Sequence, residues 1–117
     1  MSTSCVFCGI VAGTIPATKV LETERVLAFR DIAPHAPTHV VVIPKEHYVD
    51  LAALAAADPP YVGEVLVAAA EVAGLERLDN GYRVVINTGP DAGQTVFHLH
   101  VHVLGGRNLG ALVGPPP

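Results

Sequence analysis

All six histidines lie after residue 34, and three of them alternate with apolar residues in His98-Leu99-His100-Val101-His102-Val103. Successive side chains of a strand point to opposite faces, so His98, His100 and His102 share one side while Leu99, Val101 and Val103 share the other. The apolar side is suited to a core, and the three imidazoles opposite are placed for chemistry. An imidazole with its ordinary pKa of ~6.5 is largely neutral near pH 7. The middle ring, His100, can then attack an electrophilic phosphorus and form a covalent histidyl intermediate that water resolves. His98 and His102 can orient it and donate protons to phosphoryl oxygens. Two other readings compete. Histidines at i and i+2 can chelate a metal, but at ~3.3 Å per residue the outer pair stand about 13 Å apart, too far for one ion with bonds of ~2.0 Å. A purely structural row is disfavoured because each ring would need its own partner.

Cys5-Val6-Phe7-Cys8 holds the only two cysteines. With no second C-x-x-C, a four-cysteine zinc ribbon is excluded. A thioredoxin-like redox pair requires a preceding strand, which the four residues before Cys5 do not supply. Nor do two cysteines make a secreted disulfide scaffold.

These groups need a frame. The sequence predicts a short helix from Cys5 to Ala12, capped by Ser4 and closed by Gly13. A turn near Glu22 to Glu24 leads into a strand at Val26–Arg30. The β-branched run His39–Ile43 reads as a strand buried on both faces, bounded by Pro34, Pro37 and Pro44. Asp58 caps a central helix from Pro59 to about Ala73, with Gly74 as its closing residue. Only Glu64 and Glu71 mark a polar stripe on it, so one flank is expected on the sheet and another on a partner subunit. Tyr82–Asn87, after the Asp79-Asn80-Gly81 turn, and Val96–Leu104 are the last two of about five strands, four of them with ranges read from the sequence. Two helices with strands that lack crossovers imply an α+β domain with an antiparallel sheet.

At 117 residues and 12.2 kDa the chain is one domain, with the short helix at one end and a Pro-rich tail at 108–117. A domain of this size buries about two-thirds of its unfolded surface, enough for a core without staples. Only 15% of residues are charged and half are hydrophobic, which suggests apolar area hidden against a second subunit. A net charge of −4 without a basic run excludes a nucleic-acid wrapper. No Lys or Arg precedes Lys19 and no apolar run approaches the ~20 residues of a membrane span, so the cytosol, away from any membrane, is the expected compartment.

The run His98-Leu99-His100-Val101-His102-Val103-Leu104 resembles the His-φ-His-φ-His-φ-φ signature (φ apolar) of the histidine triad (HIT) superfamily. Asp31-Ile32-Ala33-Pro34-His35-Ala36-Pro37-Thr38-His39, followed by Val42-Ile43-Pro44-Lys45, resembles its nucleotide-binding strand and loop. Asn87-Thr88-Gly89-Pro90-Asp91-Ala92-Gly93-Gln94-Thr95 resembles its phosphate loop, which alone reads equally as an ordinary inter-strand loop. The likeness runs from about Cys5 to Arg107 and is strongest to the Hint branch, the histidine triad nucleotide-binding proteins.

That resemblance implies a HIT-like fold, dimerising through the central helix and sheet edge, which binds purine nucleotides such as AMP or GMP and hydrolyses adenosine 5′-phosphoramidates. It implies His100 as the nucleophile on the α-phosphorus, His102 at a phosphate oxygen or the leaving group, and the backbone around His98 fixing the His100 tautomer. Asn87, Gly93, Thr95 and the Val96 N–H would hold phosphate. Asp31 would accept from the ribose hydroxyls; its plainer role is a solvated turn aspartate. Ile32, and Phe29 with it, would sandwich the base. His39 is either a partner of the row or a core histidine. Some relatives complete a Cys₂His₂ zinc site, and the matching residues here are Cys5, Cys8, His47 and His98; such a closed site is structural, and the chemistry itself needs no metal. Relatives often carry a tryptophan near the C-terminus; this chain has none, leaving Leu109 and Leu112 as candidate apolar walls. Two other functions share the same pocket: a dinucleoside polyphosphate hydrolase, and a nucleotide-responsive interaction module with incidental hydrolysis.

Overall fold

The computed structural model describes residues 5–112. In order these form α1 (Val6–Ala12), β1 (Lys19–Glu22), β2 (Val26–Arg30), β3 (Thr38–Pro44), α2 (Leu51–Ala57), α3 (Pro59–Leu75), β4 (Tyr82–Ile86) and β5 (Val101–Gly105). The five strands make one sheet in the order β1-β2-β3-β5-β4, every pairing antiparallel, so the fold is α+β as expected. Among the described residues there are three α-helices and not two. The apolar run Leu51–Ala57 is helical because Asp50 caps it, accepting from the Ala53 N–H at 2.9 Å, and Leu54 anchors it in the core. No helix among the described residues is long and apolar enough to cross a membrane.

Strand alternation gives the sheet two apolar faces. Val26, Ala28, Val40, Val42, Val101 and Val103 pack against α3, which contributes Tyr61, Val65, Ala69 and Val72. Leu27, Phe29, Val41 and Ile43 face the other way, under Ile10 of α1. The continuous apolar run of β3 is thus buried on both sides, as its sequence predicts.

Several element ends differ from expectation, β3 for one taking in Thr38 and Pro44. Ser4 lies outside the described residues, and Cys5 itself caps α1, its Sγ accepting from the Cys8 N–H at 3.3 Å. Helix α3 runs on to Leu75, through Gly74; its left-handed closing residue is Arg77, with φ of 56°, and the Leu78 N–H reaches back to the Ala73 carbonyl at 3.0 Å. Finally, β5 begins only at Val101. The Leu99 N–H donates to Tyr48 O at 2.7 Å, outside the ladder, so His98 and His100 precede the strand and only His102 lies on it. The alternation survives: Leu99, Val101 and Val103 are all buried in the α3-side core.

Tyr61 ties both layers together. Its ring is fully buried, its hydroxyl donates to Arg25 O at 2.6 Å and accepts from the Glu46 N–H at 3.3 Å, and the Arg25 guanidinium stacks on it at 3.7 Å. Tyr61→Phe leaves those backbone groups unpaired and should cost about 1–3 kcal/mol, measured as a lower midpoint of denaturant unfolding at unchanged m-value.

Candidate functional site

The site lies on the sheet face opposite α3. His39 on β3 and His102 on β5 share that face, where the registers pair Val41 with His102 and His39 with Leu104. They line a cavity of about 400 Å³ together with His100, Asp31, Asn87 and Thr95; Gly93 and Val96 complete its loop wall. Of the residues expected to hold nucleotide, the two assigned to the base stand apart: Ile32 does not line the cavity and at 98% exposure presents a bare apolar surface, and Phe29 does not line it either. Phe29 is buried beneath α1, and the aromatic ring at the cavity is Phe7, edge-on to His100 at 5.0 Å.

Hydrogen bonds settle the tautomers. A carbonyl can only accept, so the 2.8 Å contact to His98 O places a proton on His100 Nδ1 and leaves Nε2 as the basic nitrogen. His39 Nδ1 accepts from the His35 N–H at 3.1 Å, so its proton sits on Nε2, which donates to His102 Nδ1 at 2.8 Å. His102 therefore carries its proton on Nε2. One ring offers a lone pair and its neighbour, with centroids 5.0 Å apart, offers a donor. His39 is thus a partner of the row. Asp31, His39 and His102 also lie close enough to one another to suggest a metal cage. The His35 N–H rules against it, because it ties up Nδ1 and keeps the proton on the nitrogen that would have to ligate. The second Asp31 oxygen stands 3.5 Å from His39 Nε2 while the first accepts from the Ala33 N–H at 2.8 Å.

Burial pushes His102 down to about 4, with His100 and His39 adding to the effect against the opposing charge of Asp31. Burial also lowers His39, again against Asp31. His102 therefore stays neutral under mildly acidic conditions. Unfolded histidines bind protons near ~6.5, so between that pH and about 4 the unfolded chain holds more protons than the folded one. Stability should rise with pH across this window and fall on acidification through it. His102→Gln should flatten the midpoint-versus-pH curve there; an unchanged slope would assign the dependence to other groups.

The loop between β4 and β5 turns on Gly89 and Gly93, with φ of 84° and 90°, around a single 3₁₀ turn at Pro90–Ala92. Gln94, which the sequence reading left without a role, holds it. This buried amide accepts from the Gly89 N–H at 2.8 Å and donates to Val49 O and Val96 O at 2.7 and 3.1 Å. A polar side chain inside a glycine-rich loop was the available signal. Phe7 had a weaker one, its place between two cysteines.

Behind the row, Cys5, Cys8, His47 and His98 converge. Cys5 Sγ and Cys8 Sγ stand 3.5 and 3.6 Å from His98 Nδ1, and Cys8 Sγ is 3.2 Å from His47 Nδ1. A tetrahedral ion with bonds of about 2.0–2.3 Å spaces its ligands roughly 3.3–3.8 Å apart, so the donor set fits such a cation. His98 Nε2 donates to Pro44 O at 2.8 Å, which leaves Nδ1 with its lone pair toward the sulfurs. Burial first, then the Cys5 side chain, push the Cys8 thiol up to about 11. The Cys8 thiol thus resists ionising by itself and would lose its proton to a soft dication. His98 thus turns its ring to this cluster and its carbonyl to His100.

Comparison with known proteins places the chain among relatives. The chain is 50% identical over 107 residues to the 14 kDa zinc-binding protein of Zea mays, covering 89% of this chain and 83% of that one. Among solved structures it resembles a HIT family hydrolase from Legionella pneumophila, with a TM-score of 0.85 and 45% identity over 89% of this chain and 94% of that one. It also resembles a histidine triad nucleotide-binding protein from Candida albicans, with a TM-score of 0.84 and 34% identity over 97% and 84% of the two chains. The HIT domain family matches residues 12–109, which span the whole sheet, the histidine row and the loop before it, and the chain belongs to that family.

Proposed function

We propose that this protein is a nucleotide-binding hydrolase that cleaves the P–N bond of adenosine 5′-monophosphoramidates. The observation that carries the reading is the pairing of a basic Nε2 on His100 with a proton-bearing Nε2 on His102 in one cavity, each tautomer held by a fixed partner. His100 Nε2 attacks the α-phosphorus; the P–N bond breaks, and the amine leaves with a proton from solvent. Water then attacks the phosphorus, releasing a proton and freeing His100. His102 Nε2–H donates to a phosphoryl oxygen as charge builds on it, and His98 O keeps the His100 ring in register. Asn87, Gly93, Thr95 and Val96 hold the phosphate, Asp31 the ribose hydroxyls, and the exposed Ile32 covers one face of the purine. The same pocket releases AMP as product and takes other purine nucleotides such as GMP as ligands.

Cys5, Cys8, His47 and His98 hold a zinc ion, a reading supported by their spacing and by the similarity to the maize zinc-binding protein. The ion, when bound, supplies cross-linking and no step of the chemistry. A second copy of the chain covers the exposed apolar residues of α3 and the β4 edge, Leu66, Val67, Leu75, Tyr82 and Val84. Sedimentation should then give twice the chain mass.

The discriminating experiment sets a fluorogenic AMP–amine conjugate beside a diadenosine polyphosphate. Faster turnover of the conjugate supports the proposal. Preference for the polyphosphate would make the protein a dinucleoside polyphosphate hydrolase. AMP binding with no turnover of either would make it an interaction module.

A further inference from the structure

Ten large apolar side chains are exposed among the described residues. Five of them lie on the face given above to a second copy, Ile32 covers the purine in the proposed function, and Leu112 stands near the end of the chain. The remaining three are Val6 at the start of α1, Val49 in the segment between β3 and α2, and Phe97 just before His98. Far apart in sequence, they line a single hollow of about 390 Å³. No Asp, Glu, Lys or Arg belongs to its wall. Exposed apolar groups that converge on one concave, uncharged space have the character of a ligand pocket.

The hollow adjoins the histidine row. Thr95 and Val96 line both it and the cavity that holds His100, so the two spaces share a wall. Gln94 fastens that wall: its amide donates to Val49 O on the hollow's side and to Val96 O, and accepts from the Gly89 N–H of the loop. His100 itself lines the cavity and not the hollow. Displacement at phosphorus runs in line, so the leaving group departs on the side away from the attacking nitrogen. With the phosphate held at Thr95 and Val96, that direction leads past the shared wall. Within one chain, Leu109 and Leu112 line neither space.

We propose that this hollow is the leaving-group subsite, and that it selects phosphoramidates whose amine carries an aromatic or branched apolar group and no second charge. The inference rests on the proposed function, since only a conjugate of AMP has an amine to place there. An apolar group entering the hollow leaves water for Val6, Val49 and Phe97. An ammonium entering it loses hydration and finds no carboxylate in return.

The test separates binding from turnover, using AMP phosphoramidates of methylamine, of an aromatic ethylamine and of a diamine whose free end is an ammonium. Calorimetry uses the full chain with His100→Ala, which removes the nucleophile and keeps the conjugates intact. The aromatic conjugate should bind about tenfold or more tightly than the methylamine one, and the diamine conjugate no more tightly than methylamine. Adding Phe97→Ala or Val49→Ser should remove most of that preference while AMP affinity stays unchanged. Both side chains are half-exposed, so melting temperatures should hold. In the native chain kcat/KM should follow the same order. The affinity order without turnover of any conjugate would support the hollow and overturn the hydrolase reading. Turnover of all three with equal affinities, tightest binding of the diamine, or an aromatic preference that survives both substitutions would overturn the hollow and leave the hydrolase reading standing. No binding of any conjugate would overturn both.

Discussion

His100→Ala should lower turnover of an AMP–amine conjugate by about 10⁴-fold or more while AMP still binds within about tenfold, on the order of 1.4 kcal/mol. The split follows from the geometry. Under the proposed function, His100 supplies the attacking Nε2, whereas Asn87, Thr95, Asp31 and His102 line the same cavity and remain to hold the nucleotide. Loss of one ring also leaves His98 O without its donor. That carbonyl sits beside the cavity, where water can reach the space vacated by the ring, so folding should persist. Rapid quenching of the native protein with labelled conjugate should trap nucleotide on the chain through an acid-labile P–N bond, and the variant should trap none. Surviving turnover in the variant would move the nucleophile elsewhere, and a parallel loss of AMP binding would mean that the ring serves the pocket and not the chemistry.

Removing one of the proposed zinc ligands should produce the other large effect. Cys5→Ser preserves the acceptor that caps α1, since a serine hydroxyl accepts from the Cys8 N–H at least as well as a thiol does. Lost stability therefore reports on the metal and not on the cap. The variant should lose stoichiometric zinc and on the order of 3 kcal/mol or more, a fall of roughly 10 °C or more in melting temperature. Because His98 gives its ring to the cluster and its carbonyl to His100, activity should fall through kcat more than KM. Zinc retained at one per chain in Cys5→Ser would refute the ligand set.

The sheet and its long helix were legible because their signals are local and strong. The β-branched run of β3, the Asp58-Pro59 start of α3 and the alternation after His98 each follow from the chain's own periodicity. Less legible were the ends. Helix α2 is a seven-residue apolar run that no periodicity separates from a strand, and Asp50 and the core slot for Leu54 decide it. Gly74 looked like a natural stop, but a continuing burial stripe through Val72 and Ala73 carries α3 past it to Arg77. The candidate site was legible as a set of residue types, and its internal wiring was not. That His35 dictates the proton on His102 through His39 depends on a backbone N–H arriving from a loop, which spacing along the chain does not reveal.

By itself the amino-acid order determined which atoms are available: three imidazoles at two-residue intervals, a glycine-turned loop before them, and two thiols with two histidines far away in the chain. Tertiary structure alone decided which nitrogen of each ring is basic, and that His98 serves both the cysteine cluster and His100. The physical reason is that alternation and capping act over a few residues. A proton's place on an imidazole is set by whichever group from elsewhere in the chain comes within about 3 Å.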